Sequence, residues 1–111
     1  LFVSYHDEAG RIIGSGGLEF YSPFALLRSV AVEESQRGNS IRKHIVSDLL
    51  ARAQENSVHK IYLLTETAHD FFLNRGFQDV SRDNVPVEVK ASTEFTSVCP
   101  VSASVMIYQL A

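Results

Sequence analysis

Residues 26–50, LLRSVAVEESQRGNSIRKHIVSDLL, constrain the fold more than any other stretch of the chain. LLRSVAV (26–32) is short, apolar and β-branched, which reads as a buried strand. EESQRGNS (33–40) is a polar turn. A helix begins near Ser40 and places Ile41, Ile45, Val46, Leu49, Leu50 and Ala53 on one face. A strand that turns directly into a helix brings unpartnered backbone N–H groups together at the positive end of the helix dipole. That arrangement suits a phosphate. The plainer alternative is that the unit only connects two elements of a sheet.

The flanking segments fill in the fold. Residues 1–7 (LFVSYHD) and 11–21 (RIIGSGGLEFY) read as a hairpin around the turn DEAG, where Gly10 can take a positive φ. Gly14, Gly16 and Gly17 weaken the second strand and predict a bulge, or the close approach of another backbone or a ligand. SPF (22–24) turns into the strand at Leu26, which completes an antiparallel meander. Asn56 and Ser57 end the central helix, and HKIYLLT (59–65) is a short buried strand. A right-handed crossover makes it parallel to the Leu26 strand. Thr67 and Asp70 have capping-box spacing ahead of a short helix over 68–74, which Gly76 ends. FQDVS starts another strand. Pro86 then suits the first turn of a third helix, with Val87, Ala91 and Phe95 on one face and Cys99-Pro100 as its stop. SASVMIYQL (102–110) closes as a strand, with Val105 and Ile107 on one side. The predicted order is β-β-β-α-β-α-β-α-β, an α/β domain with a mixed, mostly antiparallel sheet flanked by helices.

Several function classes lose support from the bulk numbers. With 111 residues and 45% hydrophobic content, one globular domain with a single core is expected. A net charge of −3 argues against nucleic acid or an anionic membrane as partner. No apolar run is long enough to span a bilayer. The lone cysteine, Cys99, has no internal disulfide partner and no neighbouring base, which fits a structural thiol and a cytoplasmic location. His6, His44, His59 and His69 lack metal-ligand spacing, so no metal is expected. GSGG at 14–17 is no dinucleotide fingerprint, because Glu19 stands where the third glycine belongs and no helix follows. Glu19 is the candidate for chemistry. A carboxylate held on a strand inside a cleft can accept a proton, directly or through water, whereas on an open sheet face it is merely solvated.

Two joints carry a family resemblance. The segment SVAVEESQRGNSIRKHIVSDLL resembles the acetyl-CoA-binding segment of GNAT N-acetyltransferases, in which a Val-x-Val strand precedes Arg/Gln-x-x-Gly-x-Gly/Ala. TETAHDFFLNRGF resembles their strand-to-helix segment ending in Gly-Phe, here Gly76-Phe77, and the spacing of Ala68, Phe72 and Gly76 fits. LLRSVAV, YLLTETAHDFFLNRGF, VPVEVKASTEF and CPVSA are most similar to the GNAT proteins associated with arsenic-resistance operons. The resemblance implies acetyl-CoA as co-substrate, entering a splay between residues 26–32 and 61–65, and a small-molecule or peptide amine as acceptor. It implies that the backbone of Val30, Ala31 and Val32 binds the acetyl carbonyl and pantetheine arm. Arg37, Gly38, Asn39, Ser40, Ile41, Arg42 and Lys43 would wrap the pyrophosphate. Thr65, Ala68 and Phe72 would lie along the same cofactor, with Glu19 as the base for the incoming amine.

The pattern departs from the family at named positions. Ser40 replaces the first motif glycine and can itself cap the helix. Arg42 replaces the Gly/Ala position, where it either pairs with a phosphate or blocks the groove. Phe72 stands where many members carry a tyrosine that protonates the leaving thiolate, and it has no ionisable proton. The strand and helices that the family carries ahead of the hairpin are not present, so a domain truncated at its N-terminus is expected. These departures keep a second reading open: a non-catalytic GNAT-fold domain that binds CoA or serves as a dimerisation module through an exposed sheet edge.

Overall fold

The computed structural model describes residues 1–33, 40–92, 95 and 103–110. The predicted element types and their order hold. Strands β1 (Phe2–His6), β2 (Ile12–Tyr21) and β3 (Phe24–Val32) are followed by helix α1 (Ser40–Glu55), β4 (Lys60–Thr65), α2 (His69–Asn74), β5 (Gln78–Asp79), α3 (Val87–Lys90) and β6 (Ser104–Gln109). The six-stranded sheet has the order β1-β2-β3-β4-β6-β5. Every pairing is antiparallel except β3 with β4. The β1–β2 turn is closed by Asp7, whose carboxylate accepts from the N–H groups of Ala9 and Arg11, both at 2.9 Å. Gly10 sits there at a φ of +87°.

Because side chains alternate across a strand, the central sheet is buried on both faces. On one face Ala25, Leu27, Ile61, Leu63 and Met106 pack under Ile45, Val46, Leu49 and Ala53 of α1. On the other, Leu26, Tyr62 and Val105 pack with Val85 and Val89. The predicted α1 face is correct, with Ile41 and Leu50 half-buried at its margins. The helix ends where Ser57 turns to a φ of +61° and the Val58 N–H reaches back to the Ala53 carbonyl at 3.0 Å. Among the described residues, no helix is long and apolar enough to cross a membrane.

Two local expectations are corrected. No capping box forms at α2. Its cap residue is Ala68, which makes no side-chain cap bond, and the Ala68 N–H donates instead to Thr65 Oγ1 at 3.0 Å. Pro86, expected in the first turn of α3, stands at its cap; the helix is four residues long, Val87 and Ala91 are exposed, and the expected stop Cys99-Pro100 lies outside the described residues. Val89 is the residue that turns inward, fully buried against Leu26 and Tyr62. On β6, Val105 and Ile107 share one side as expected, and Met106 is buried on the other, because this strand has packed layers on each side.

Gly14 and Gly16 of β2 lie against helix α1, and Gly17 lies against Phe2 of β1. A Cβ placed on Gly14 would lie 2.8 Å from side-chain atoms of Ile41 and Ile45. One on Gly16 would lie 2.8 Å from Ile45 and 2.9 Å from Leu49. The predicted bulge is present too: the β2–β3 register shifts between Ser15 and Gly17. Opposite it, Ser29 of β3 takes a φ of +59°. That conformation costs a residue other than glycine about 1–2 kcal/mol.

Candidate functional site

The bulge opens the sheet. Only Phe24, Ala25 and Leu26 of β3 pair with β4, opposite Lys60, Ile61 and Tyr62. A bulge bends its strand and increases the local twist, so beyond Leu26 the strand follows β2. β4 stays laddered to β6 over its full length, from Lys60 opposite Gln109 to Thr65 opposite Ser104. Between the diverging strands lies a cleft of about 380 Å³. Leu27 to Val30 form one wall and Leu63 to Thr65 the other. Ala68, the cap residue of α2, Phe72 of α2 and Arg42 of α1 border it as well.

Of the expected site residues, Val30, Arg42, Thr65, Ala68 and Phe72 line this cleft. Ala31 and Val32 lie further along β3, paired with Ser15 and Gly14. Ser40 is the first residue of α1, and Ser40 and Lys43 are exposed. Ile41 is turned onto Gly14 of the sheet. Arg37, Gly38 and Asn39 lie outside the described residues. The first turn of α1 holds no acidic residue and carries Arg42 and Lys43. Helices usually place carboxylates there, so this end is left strongly positive and suited to an anion. The Arg42 guanidinium stands over the Phe71 ring, 5.3 Å from its centroid. That stacking holds the side chain against α2 at the margin of the cleft.

Phe72 is buried and belongs to a chain of rings, 5.1 Å from Phe71 and 5.3 Å from Phe77 by centroid. Its ring is an apolar part of the cleft lining, without a proton to give.

Glu19 faces a second recess on the side of the sheet away from α1, about 310 Å³ in volume and bordered also by Phe2, Gly17, Arg28 and Ser29. One carboxylate oxygen accepts from Arg28 Nη1 at 2.6 Å, and the other accepts from the Tyr21 hydroxyl at 3.0 Å. Burial, then this hydrogen bond and the Glu19 charge, push the Tyr21 phenol above its ordinary pKa, so it remains the donor. Arg28 Nε also donates to Ser29 Oγ at 3.2 Å. Arg28 and Ser29 border both the cleft and the recess, and sequence reasoning singled out neither. The available signal was an arginine inside an otherwise apolar strand.

His69, which the spacing left as a surface residue, clamps α2 to β5. Its Nε2 lies 2.9 Å from both oxygens of Asp79, and Nδ1 lies 3.3 Å from Asp70. Hydrogen bonds to the two carboxylates raise its pKa above the ordinary 6.5. The contribution to stability is therefore complete below the ordinary value and is lost as pH rises through the raised one. The melting temperature of the native protein should exceed that of Asp79→Asn at pH 6, and the gap should close towards pH 9. A gap independent of pH would mean that the imidazole charge contributes nothing. Among the described residues, no three His, Cys, Asp or Glu side chains come together as a metal site.

A sheet split between a parallel pair of strands, with a helix N-terminus beside the split, can be compared with known proteins. Residues 1–77 match the model of the acetyltransferase (GNAT) family. The chain belongs to that family. It is 33% identical over 91 residues to an amino-acid acetyltransferase of Mycobacterium tuberculosis, covering 79% of this chain and 51% of that protein. It is 29% identical over 84 residues to an uncharacterized N-acetyltransferase of Chlorobaculum tepidum, covering 75% and 54%. The chain thus spans about half the length of these two relatives. Among solved structures it resembles Rv2747 of Mycobacterium tuberculosis in complex with CoA, with a TM-score of 0.81, 25% identity, and coverage of 99% of this chain and 76% of that one. The N-acetylglutamate synthase of Neisseria gonorrhoeae, complexed with coenzyme A and N-acetyl-glutamate, gives a TM-score of 0.85 at 15% identity, over 99% of this chain and 26% of that one. That second likeness is one of fold.

Proposed function

We propose that this protein is an N-acetyltransferase that moves an acetyl group from acetyl-CoA to the amine of a small molecule. The observation that carries the reading is the cleft between β3 and β4, bordered by Arg42 from the first turn of α1. Membership of the family and the CoA held by the Mycobacterium tuberculosis structure support it. The pyrophosphate would sit at the α1 N-terminus, near Arg42 and the motif residues Arg37, Gly38, Asn39, Ser40, Ile41 and Lys43. The pantetheine arm would lie along Val30, Ala31 and Val32, facing Thr65 and Ala68.

The reaction would be direct attack. The acceptor nitrogen forms a bond to the thioester carbonyl carbon, and the carbon–sulfur bond breaks. The proton lost by nitrogen goes to Glu19, directly or through water. A β3 backbone N–H near Val30 or Ala31 would hold the developing oxyanion. With Phe72 at the tyrosine position, the thiolate takes its proton from solvent. A thiol pKa near 8.5 makes that an acceptable leaving group.

Calorimetry with acetyl-CoA tests the site, with 3′,5′-ADP as the fragment lacking the pantetheine arm. Micromolar binding that weakens for the fragment is expected. A folded protein that binds neither ligand would overturn the proposal. Arg42→Glu should weaken acetyl-CoA binding about 10- to 100-fold through loss of a charge-assisted phosphate contact. Tighter binding in that variant would mean that Arg42 obstructs the groove.

A further inference from the structure

Tyr21 follows Glu19 by two residues on β2, so both side chains stand on the same face of the sheet. The Tyr21 ring packs against the cluster of Leu26, Tyr62, Val85, Val89 and Val105. Its hydroxyl meets Glu19 Oε1 at 3.0 Å and is also hydrogen-bonded to the Ser92 side chain. Ser92 is buried just beyond α3, where its N–H donates to the Val89 carbonyl at 3.0 Å. Ser92 Oγ accepts from the Phe95 N–H at 3.4 Å.

Counting protons fixes the direction of this chain of bonds. A carboxylate paired with Arg28 has none to give, so Tyr21 donates to Glu19. A phenol has a single proton, so Ser92 donates to the Tyr21 oxygen, and the Phe95 N–H serves the Ser92 oxygen. Each donor is used once, and every bond runs towards Glu19. We propose that Tyr21, backed by Ser92, positions the Glu19 carboxylate to accept the proton of the incoming amine. Tyr21 borders neither the cleft nor the recess, so it acts through Glu19. With Tyr21 on one oxygen and Arg28 on the other, the lone pairs left for the amine or its bridging water point in a set direction. A misplacement of about 1 Å at a reacting group can cost about 100-fold in rate. The inference rests on the proposed acetyl transfer with Glu19 as base and deepens it, tying the aim of that base to the packing of α3.

The test follows release of the free CoA thiol at saturating acetyl-CoA, with ethanolamine, β-alanine and ethylenediamine as amine probes. Calorimetry gives acetyl-CoA affinity alongside. Tyr21→Phe keeps the ring and should lower kcat on the fastest probe about 10- to 50-fold, with KM and acetyl-CoA affinity within about twofold. Ser92→Ala should lower kcat about three- to tenfold. Adding Tyr21→Phe to Glu19→Gln should cost less than about twofold more, because no base is left to aim. A purely structural role would make the two losses multiply. Absorbance titration of the phenol, assigned by its absence in Tyr21→Phe, needs no acceptor. Glu19→Gln removes the carboxylate charge that helps to raise the Tyr21 pKa, so that titration should move down towards the ordinary value. An unchanged kcat in Tyr21→Phe, losses that multiply, or a phenol titration unmoved by Glu19→Gln would overturn the assignment. Native protein that binds acetyl-CoA and acetylates no probe overturns Glu19 as base and this inference with it, whereas one that does not bind acetyl-CoA overturns the acetyl-transfer reading itself.

Discussion

Phe77→Ala should lower the unfolding free energy by about 3–5 kcal/mol, measured by urea denaturation. Phe77 is 1% exposed and ranks among the largest fully buried side chains. Its ring joins α2 to the sheet, with its centroid 5.3 Å from that of Phe72 and 5.2 Å from that of Tyr108. The backbone fixes this placement. Gly76 stands at a φ of +98°, with no room for a Cβ beside Tyr108, and the Phe77 N–H closes onto the Phe72 carbonyl at 3.0 Å. The neighbours are therefore held and cannot collapse fully into the space left by the ring. A domain of this size is stable by about 5–15 kcal/mol, so the loss is a large fraction of the total. Because Phe72 lines the cleft and leans on Phe77, acetyl-CoA affinity should fall as well. A loss under about 1 kcal/mol would show that the ring is not packed between α2 and β6.

What could be read from the chain was what local periodicity controls. Residues 26–50 switch from an apolar strand to a helical face, and the handedness of crossovers makes the next strand parallel. The Gly76-Phe77 joint is likewise a local signal. The α3 face failed because Val87, Ala91 and Phe95 have helical spacing in a segment whose helix is only four residues long. Burial there is decided by the sheet beneath, which takes Val85 and Val89. The capping assignment at α2 failed because the helix starts one residue later than the Thr67–Asp70 spacing requires: Ala68 holds the cap position, and its N–H is taken by Thr65 at the strand end. The cleft lining included Val30, Arg42, Thr65, Ala68 and Phe72, all near the two motif joints. The Glu19–Arg28 contact was not legible. It joins residues nine apart on separate strands, across a register that a bulge shifts by one position.

Gly16→Val puts that same register under strain and should cost about 2–3 kcal/mol by overpacking. Strand propensity alone predicts the opposite sign, since valine is favoured over glycine in strands by up to about 1 kcal/mol. The sheet-to-helix distance decides between them. Even a first carbon on Gly16 would lie 2.8 Å from Ile45 Cγ2 and 2.9 Å from Leu49 Cδ1, both on residues of α1 that are fully buried. Neither side chain has free space to enter, so the helix must move away from the sheet or β2 must bend. Gly16→Ala should show the same sign at about 1–2 kcal/mol. The consequence extends to function because Ile45 lies one turn from Ser40 and Ile41, at the end of α1 proposed to hold the pyrophosphate. A displaced α1 shifts that end relative to Val30 on β3. Acetyl-CoA should then bind more weakly to folded Gly16→Ala, while 3′,5′-ADP, which needs no alignment with the pantetheine wall, should change less. A Gly16→Val protein as stable as the native one would mean that α1 rests further from β2 than these contacts place it.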